Sequence, residues 1–287
     1  MGGVVATGVP GARPLSGPLR AQHRRRCRRR KAPFVRLAIA GKGGAGKTTI
    51  SATLARQAAR AGRPVVAVDA DSNPNLGVAL GVHGVDPSTT PPLPTSLVSR
   101  RLDGPALTSP IQEVVEAYGL DAPDGVRLVH LGMPTHAEEG CLCSAHATVG
   151  ALLGDLGTWQ EAVTLVDLEA SPEHLSRGTA RHVDTLLLVA EPYFRALETV
   201  RRMAELAAEM PIPRVVIVAN KIRSTTDAEA VEAFCAQHGL EAVGAIPWSA
   251  AVLDADAARV PLSEQDGDVV RAIGELGDRL LGQQPAA

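Results

Sequence analysis

The sequence predicts an α/β fold that is doubly wound, with a mostly parallel sheet of about seven strands and helices on both faces. Short, continuously apolar segments alternate along the chain with longer segments of helical periodicity, which is typical of parallel strands buried on both faces. A glycine-rich turn joins the first strand segment to the first helical segment, as in α/β domains that bind phosphate groups. In such sheets the ligand binds beyond the carboxyl ends of the strands.

Seven segments have the length and the apolar character of buried strands. They are Val35–Ala40, Pro64–Val68, Arg127–Leu131, Ala162–Val166, Thr185–Ala190, Val215–Ala219 and Ala242–Ile246. Helical periodicity predicts helices over further segments between and after these strands. They are Thr48–Ala61, Thr148–Leu156, Leu197–Glu209, Glu229–His238 and Val269–Leu281. Residues 84–110 are rich in Pro, Ser and Thr, and we interpret them as an excursion from the core.

The composition excludes several classes of protein. The chain has 287 residues, of which 45% are hydrophobic and 21% charged, as is ordinary for a globular protein. No apolar run approaches the ~18–20 residues that a membrane span needs, so we do not expect an integral membrane protein. Four cysteines are too few for a disulfide scaffold, and no secretory signal peptide is recognisable, so we expect a cytoplasmic protein.

Charge is divided unevenly between the amino-terminal segment and the rest of the chain. Residues 1–34 carry nine basic side chains and no acidic one, so within a total net charge of −2 the remaining residues carry −11. We interpret residues 1–34 as a disordered basic tail; the alternatives are a nucleic-acid-binding arm, a targeting peptide, or a segment that is not translated. Residues 35–287 are predicted to form a single domain, whose acidic character disfavours nucleic acid and anionic membranes as partners.

The clearest functional motif is the glycine-rich turn before the first helix. Its residues, with the threonine that follows them, are Gly41, Lys42, Gly43, Gly44, Ala45, Gly46, Lys47, Thr48 and Thr49. They fit the pattern G-x-x-x-x-G-K-[ST], in which backbone N–H groups and a helix amino terminus surround the phosphates of a nucleotide. Lys47 is predicted to bridge the β- and γ-phosphates as a catalytic residue, and the Thr48 hydroxyl to hold Mg²⁺.

Carboxylates follow the second and fourth predicted strands. Asp69 and Asp71 come directly after the second strand, and Asp167 follows the fourth. Because the carboxyl ends of parallel strands meet at one edge of a sheet, we expect all three side chains to lie near the glycine-rich turn. Asp69 and Asp167 are predicted to hold Mg²⁺ through its water shell, and Asp71 to orient or deprotonate the attacking water.

Lys42 directly follows the first glycine of the turn. A lysine at this position is typical of the deviant Walker A motif of the MinD, ParA and nitrogenase-iron-protein superfamily, which the sequence resembles. The resemblance implies a P-loop NTPase fold of the SIMIBI type, ATP and Mg²⁺ as cofactors, and an ATP-dependent homodimer in which Lys42 reaches the partner's nucleotide. It also implies that Asn220, with Arg223 and Pro247, contacts adenine. Trp248 either lines the same pocket or packs in the core, and we favour the core.

A second motif, Cys141-Leu142-Cys143, places two thiols within one turn. Two thiolates are half of the four ligands that a tetrahedral Zn²⁺ site, a square-planar Ni²⁺ site or an Fe–S cluster requires. A two-fold dimer would bring two such pairs together and supply all four ligands. The alternative is that both cysteines are structural or idle.

The order of these motifs is similar to that in the CooC-type nickel-insertion ATPases of carbon monoxide dehydrogenase maturation. The stretches that carry the resemblance are Ala38–Thr49, Gly140–Cys143, Asp167–Ala170, Glu173–Ala180 and Asn220–Arg223. The resemblance implies a metal held by Cys141 and Cys143 at the dimer interface, and a switch region that links the nucleotide to it. The switch residues are Glu169, Ser171, Glu173, His174 and Arg177.

Ser171 departs from the family pattern, which has glycine at this position. Serine keeps the backbone N–H but cannot reach every conformation open to glycine, and Pro172 restricts it further. We therefore expect weaker hydrolysis or weaker switching than in a chain with glycine there.

These observations lead to one functional hypothesis and two alternatives. The hypothesis is an ATP-dependent metallochaperone that dimerises with ATP and inserts a metal, Ni²⁺ or Zn²⁺ with nickel favoured, into an apo-metalloenzyme such as carbon monoxide dehydrogenase. One alternative is a MinD- or ParA-like positioning ATPase, which the acidic body and the mixed charges of the last helix disfavour. The other is an Fe–S cluster carrier ATPase.

Overall fold

The architecture is given by a computed structural model, which describes residues 1–2, 35–83, 93–99, 106–130, 143–170 and 179–282. The described residues from Val35 onward belong to one compact unit. No helix among them has the length and the apolar character needed to cross a lipid bilayer.

Eight strands form a single sheet in the described part of the chain. They are β1 Val35–Gly41, β2 Val65–Ala70, β3 Leu120–Asp121, β4 Val126–His130, β5 Val163–Leu168, β6 Thr185–Ala190, β7 Arg214–Ile222 and β8 Glu241–Pro247. Their order across the sheet is β3-β4-β2-β5-β1-β6-β7-β8, and only β3 runs antiparallel to its neighbour. Because β1 lies between β5 and β6, the glycine-rich turn that follows it occupies the middle of the carboxyl edge.

Helices cover both faces of this sheet. Within the described ranges they are α1 Lys47–Arg60, α2 Leu76–Leu80, α3 Ile111–Tyr118, α4 Cys143–Leu156, α5 Phe194–Ala208, α6 Thr225–Gln237, α7 Ala250–Ala257 and α8 Asp268–Leu281. One apolar cluster packs α1, α2 and α8 against one face, and a second packs α3 to α6 against the other. Leu37 and Ile39 of β1 belong to the first cluster and Ala38 and Ala40 to the second, as the alternation of strand side chains requires.

The predicted fold class is confirmed, with differences at the ends and edges of elements. The antiparallel strand β3 was not predicted, because two residues are too short to show a period. β2 and β5 extend beyond their apolar runs, so Asp69 and Asp167 are the penultimate residues of these strands and pair with each other across the ladder. The short helices α2, α3 and α7 were also missed.

The interpretation of residues 84–110 as an excursion from the core is wrong for their described part. Leu93, Leu97 and Leu107 are buried in the same apolar cluster as α3 and α4. An isolated bridge between Val98 and Leu107 closes this segment on itself. Although Pro, Ser and Thr are frequent in this segment, its few leucines are enough to pack it into the apolar cluster on one face of the sheet.

Arg56 anchors α1, the helix that follows the glycine-rich turn, to two loops beside it. Its side chain is 5% exposed and donates to Asp124 (Nε–Oδ2, 2.6 Å) and Glu264 (Nη1–Oε1, 2.8 Å). Asp124, at φ 62°, also accepts a bond from Arg60 at 2.9 Å. Partial burial acts to raise the pKa of Asp124, but the hydrogen bond from Arg56 and the charges of both arginines outweigh it and lower that pKa.

We predict that Arg56→Ala lowers the free energy of unfolding by about 2–4 kcal/mol, because it leaves two carboxylates without their buried cation. Arg271→Ala is the matched control, since Arg271 pairs with Asp268 on an exposed surface and such pairs contribute less than about 1 kcal/mol. Urea unfolding of both variants measures the difference. Equal destabilisation would contradict the anchoring role of Arg56.

Candidate nucleotide site

The glycine-rich turn has no space for side chains at two of its glycines. A Cβ on Gly41, at φ 152°, would lie 2.7 Å from the carbonyl oxygen of Val189 in β6. A Cβ on Gly46, at φ 100°, would lie 2.5 Å from Nδ2 of Asn220 in β7. Both φ values fall in the region that favours glycine. The turn is therefore packed against β6 and β7 by its backbone alone.

Two polar side chains at the end of β7 hold this turn in place. Asn220, which is buried, donates from Nδ2 to the carbonyl oxygen of Ala45 at 2.6 Å. Lys221 donates from Nζ to the carbonyl oxygen of Gly44 at 2.6 Å. Both bonds use carbonyl oxygens, so they consume none of the backbone N–H groups that a phosphate needs as donors. Asn220 thus supports the turn, and its adenine contact stays a prediction.

Lys47 is buried at the start of α1, with only 7% of its surface exposed. Its Nζ lies 3.5 Å from the carbonyl oxygen of Lys42. Burial lowers its pKa, while the nearby carboxylates of Asp167, Asp71 and Glu169 act in the opposite direction. A cation removed from water and facing acids is suited to bind an added anion, as the phosphate-binding role predicted for Lys47 requires.

Asp69 and Asp167 lie side by side at the carboxyl edge, on the neighbouring strands β2 and β5. Asp167 accepts a bond from the Ser51 hydroxyl at 3.2 Å and another from the Thr48 hydroxyl. Asp69 accepts from the backbone N–H of Leu76 at 2.8 Å. Both carboxyl groups are almost fully buried.

Burial raises the pKa of Asp69 to about 7 and that of Asp167 to about 6. Repulsion from Asp167 adds to the effect on Asp69, whereas bonds from Thr48 and Ser51 and the charge of Lys47 oppose it at Asp167. The two buried carboxyl groups and the neighbouring Thr48 hydroxyl form a set of oxygen donors. This donor set fits Mg²⁺, which keeps several waters and takes one or two carboxylates.

The other predicted nucleotide and magnesium residues are distributed around the same edge. Asp71, just beyond β2, accepts at Oδ1 from the backbone N–H of Asn73 at 2.8 Å, and its role toward water stays a prediction. Pro247 is the last residue of β8. Trp248 is not a core residue as interpreted: it is 41% exposed and lies under Arg223, whose guanidinium carbon is 4.8 Å from a ring centroid. The strand ends before it, so no layer of side chains covers the indole.

Most of the residues predicted to hold a metal or to form the switch region lie outside the described residues. Those outside are Cys141, Ser171, Glu173, His174 and Arg177. Cys143 is the first residue of α4, and Glu169 directly follows β5. Among the described residues, no group of three or more His, Cys, Asp or Glu side chains is placed to hold a metal ion.

The sequence analysis gave no role to three residues of this edge. His130 ends β4 in register with Asp69, is 5% exposed, and has no hydrogen-bond partner within the described ranges at either ring nitrogen; burial lowers its pKa. Glu191 and Tyr193 follow β6 and form a bonded group with Lys42 and Lys221. Aromatic residues are only 2% of the chain, so the presence of a tyrosine just after a predicted strand was the signal that could have singled out Tyr193.

A family model described as the CobQ/CobB/MinD/ParA nucleotide binding domain matches residues 37–262. The chain belongs to this family. It is therefore a P-loop ATPase, as the glycine-rich turn and Lys42 predicted. The turn can now be called the P-loop.

Two relatives show which members of this family the chain resembles in sequence. The carbon monoxide dehydrogenase accessory protein CooC of Rhodospirillum rubrum is 34% identical over 233 residues, which are 78% of this chain and 88% of that protein. An ATP-binding protein of Methanocaldococcus jannaschii is 30% identical over 239 residues, covering 80% of this chain and 91% of that one. The predicted resemblance to CooC-type ATPases is confirmed.

Solved structures share the fold. The cell-division ATPase MinD of Pyrococcus furiosus matches with a TM-score of 0.65 at 22% identity, over 85% of this chain and 98% of that one. The ATP complex of McdA from Cyanothece matches with a TM-score of 0.66 at 20% identity, over 89% and 99%. At these identities the likeness concerns the α/β architecture alone.

We predict that Gly46→Ala weakens ATP binding at least about tenfold, because its Cβ would displace Asn220 and distort the P-loop. Gly62→Ala is the control: Gly62 also has a positive φ, 80°, but its Cβ would meet open space. Both variants should lose stability through backbone strain, and only the first should lose nucleotide affinity in calorimetric titration. Equal affinities in the two variants would refute the steric argument.

We predict that Asp167→Asn stabilises the nucleotide-free protein at pH 8 by roughly 1–3 kcal/mol. A carboxyl whose pKa is raised by folding destabilises the folded state progressively as the pH rises from the unfolded-state pKa near 4 to the folded-state pKa of about 6. The cost is therefore fully present at pH 8 and small near pH 4. Urea unfolding at both pH values measures it. Hydrolysis of ATP should be lost in the same variant, since the predicted Mg²⁺ ligand is removed. A variant no more stable than wild type at pH 8 would contradict the buried-charge argument.

Proposed function

We propose that this chain is an ATP-dependent metallochaperone, which dimerises with ATP and inserts a metal, nickel, into an apo-metalloenzyme such as carbon monoxide dehydrogenase. The observation that carries the proposal is the 34% identity to the accessory protein CooC, together with a Cys-x-Cys pair in a P-loop ATPase. The client and the metal are inferred from that relative.

The nucleotide chemistry follows from the residues at the carboxyl edge. The P-loop backbone and Lys47 bind the phosphates of ATP, and Thr48, Asp69 and Asp167 hold the magnesium ion, directly or through water. That ion, when bound, neutralises charge on the phosphates. Asp71 orients the attacking water. A MinD of Pyrococcus horikoshii was solved with Mg-ADP, a ligand of the same class.

The cysteine pair is suited to hold the cargo metal only in a dimer. Cys141 and Cys143 supply two soft ligands, and Ni²⁺ or Zn²⁺ takes four. An isologous two-fold interface would place the two pairs opposite each other and complete the site. Lys42 of the deviant Walker A motif, reaching the partner's nucleotide, would make the same dimer depend on ATP.

A described contact supports coupling between nucleotide and metal. The switch segment that begins at Glu169 ends in a short 3-10 turn, Thr179–His182, which packs against α4, the helix that starts at Cys143. A Cβ on Gly154 of α4 would lie 3.9 Å from the ring of His182. Because α4 is anchored in the core by Leu152 and its neighbours, a shift of the switch segment would be transmitted to the cysteine end of the helix.

We predict that the dimer formed with Mg·ATP binds one Ni²⁺, and that the double variant Cys141→Ser/Cys143→Ser loses this binding while still forming the dimer. Cys235→Ser is the matched control, because Cys235 is buried in α6 away from the motif and should leave binding unchanged. Equilibrium dialysis with Ni²⁺ or Zn²⁺, read by metal analysis on the dimer fraction, measures the ratio.

Retention of the metal by the double variant would overturn the assignment of the cysteine pair. An ATP-dependent dimer that binds no metal but binds DNA or lipid vesicles would favour the positioning ATPase instead. A brown protein with visible absorbance after anaerobic purification would favour the Fe–S carrier.

A further inference from the structure

Lysine is rare in this chain and concentrated at the nucleotide site. The sequence has four lysines, Lys31, Lys42, Lys47 and Lys221, whereas its other basic residues are arginines. Three of the four lie in or against the P-loop. Lys47 lies at the start of α1, Lys221 holds the carbonyl oxygen of Gly44, and Lys42 has a partner outside the P-loop.

Lys42 rests on Tyr193 of its own chain. Its Nζ lies 3.3 Å from the Tyr193 hydroxyl and 5.0 Å from the centroid of the ring, so the ammonium both donates a hydrogen bond and contacts the aromatic face. Tyr193 is 42% exposed, and the next residue, Phe194, is 72% exposed. The contact therefore lies on the surface, and the Lys42 side chain can move away from Tyr193 without disturbing the core.

Glu191 and the start of α5 fix the position of the Tyr193 side chain. The Tyr193 hydroxyl donates to Oε2 of Glu191 at 2.9 Å, and its oxygen is then a better acceptor for the Lys42 ammonium. Glu191 is 9% exposed, and its other oxygen accepts from Lys221 at 2.9 Å. Tyr193 is also the N-cap residue of α5, where its carbonyl oxygen accepts from Leu197 at 3.1 Å. Both ends of the residue are held.

The bonds form a closed circuit. They lead from Lys42 through Tyr193, Glu191 and Lys221 to the carbonyl oxygen of Gly44, two residues beyond Lys42 in the same P-loop. Lys221 takes part from a φ of 60°, a backbone conformation that costs a non-glycine residue energy. Buried Glu191 lies at the centre of this circuit, and each of its two oxygens holds one of the outer side chains, Tyr193 or Lys221.

We propose that Tyr193 is a positioning residue that holds Lys42 on its own subunit and thereby opposes closure of the ATP-dependent dimer. The inference rests on the proposed function, in which Lys42 must leave its own chain to reach the partner's nucleotide. Each dimer releases two such lysines, so the cost of leaving Tyr193 counts twice in the dimer dissociation constant. The contact raises the dissociation constant of the closed dimer, and it binds Lys42 again on its own subunit after the dimer opens.

The variant Tyr193→Phe tests this proposal, because it keeps the ring under the ammonium and removes only the hydroxyl. Losing one exposed hydrogen bond should favour release about threefold per subunit, so the dimer dissociation constant with Mg·ATPγS should fall about tenfold. Tyr118→Phe is the control, since Tyr118 in α3 is the only other tyrosine of the chain and should change nothing. Sedimentation velocity over a concentration series measures all three proteins.

A second measurement tests the contact between Lys42 and Tyr193 in the monomer, where dimerisation plays no part. In the nucleotide-free monomer, an amine-acylating reagent followed by peptide mass analysis gives the labelling rate of Lys42 relative to Lys47. Tyr193→Phe should raise this ratio about threefold, whereas Tyr118→Phe should leave it at the wild-type value. A merely structural defect would change both lysines together.

The outcomes separate the two ideas. An unchanged labelling ratio overturns the proposal, whatever the dimer does. A raised ratio with an unchanged or weaker dimer also overturns it, because Tyr193 then holds Lys42 without opposing closure. If the wild-type protein forms no dimer with Mg·ATPγS, the proposed function fails in its dimer step, and the labelling ratio alone decides whether Tyr193 holds Lys42.

Discussion

The nucleotide site depends on the close packing of the P-loop backbone against β6 and β7. A Cβ on Gly41 would lie 2.7 Å from a backbone oxygen of β6, and a Cβ on Gly46 would lie 2.5 Å from the side chain of Asn220 in β7. This packing is available only because β1 lies in the middle of the sheet, with β6 next to it and β7 one strand further. Asn220 and Lys221 then attach the loop through its carbonyl oxygens and leave its N–H groups for phosphate.

The two ends of α1, the helix that follows the P-loop, lie in different electrostatic surroundings. At its start, buried Lys47 lies near the carboxyl group of Asp167, and burial raises the pKa of Asp167 and of its neighbour Asp69. About two and a half turns further along, Arg56 and its acidic partners bind the helix to neighbouring loops. The two raised pKa values mean that ionising these acids in the absence of a bound cation destabilises the fold at neutral pH, a cost typical of functional sites.

Family membership establishes an ATPase, and two contacts near the P-loop bear on the proposed coupling and dimerisation. Cys143 begins α4, and the end of the switch segment packs on the same helix. On the other side of β1, Tyr193 and Glu191 hold Lys42 through a circuit that returns to the P-loop. The P-loop thus has on one side a segment that packs against the helix beginning at Cys143, and on the other side a group of side chains that holds Lys42.

The sequence by itself determined the fold class, the P-loop and the identity of the carboxylates, because strand hydrophobicity and the G-x-x-x-x-G-K-[ST] spacing are local signals. It could not place Trp248, which local pattern assigned to the core, or the leucines of residues 84–110, which pack on elements distant in the chain. Only the tertiary structure brought Tyr193 to Lys42, 151 residues apart. Such contacts depend on which strands are neighbours, and strand order is decided by the packing of the whole sheet.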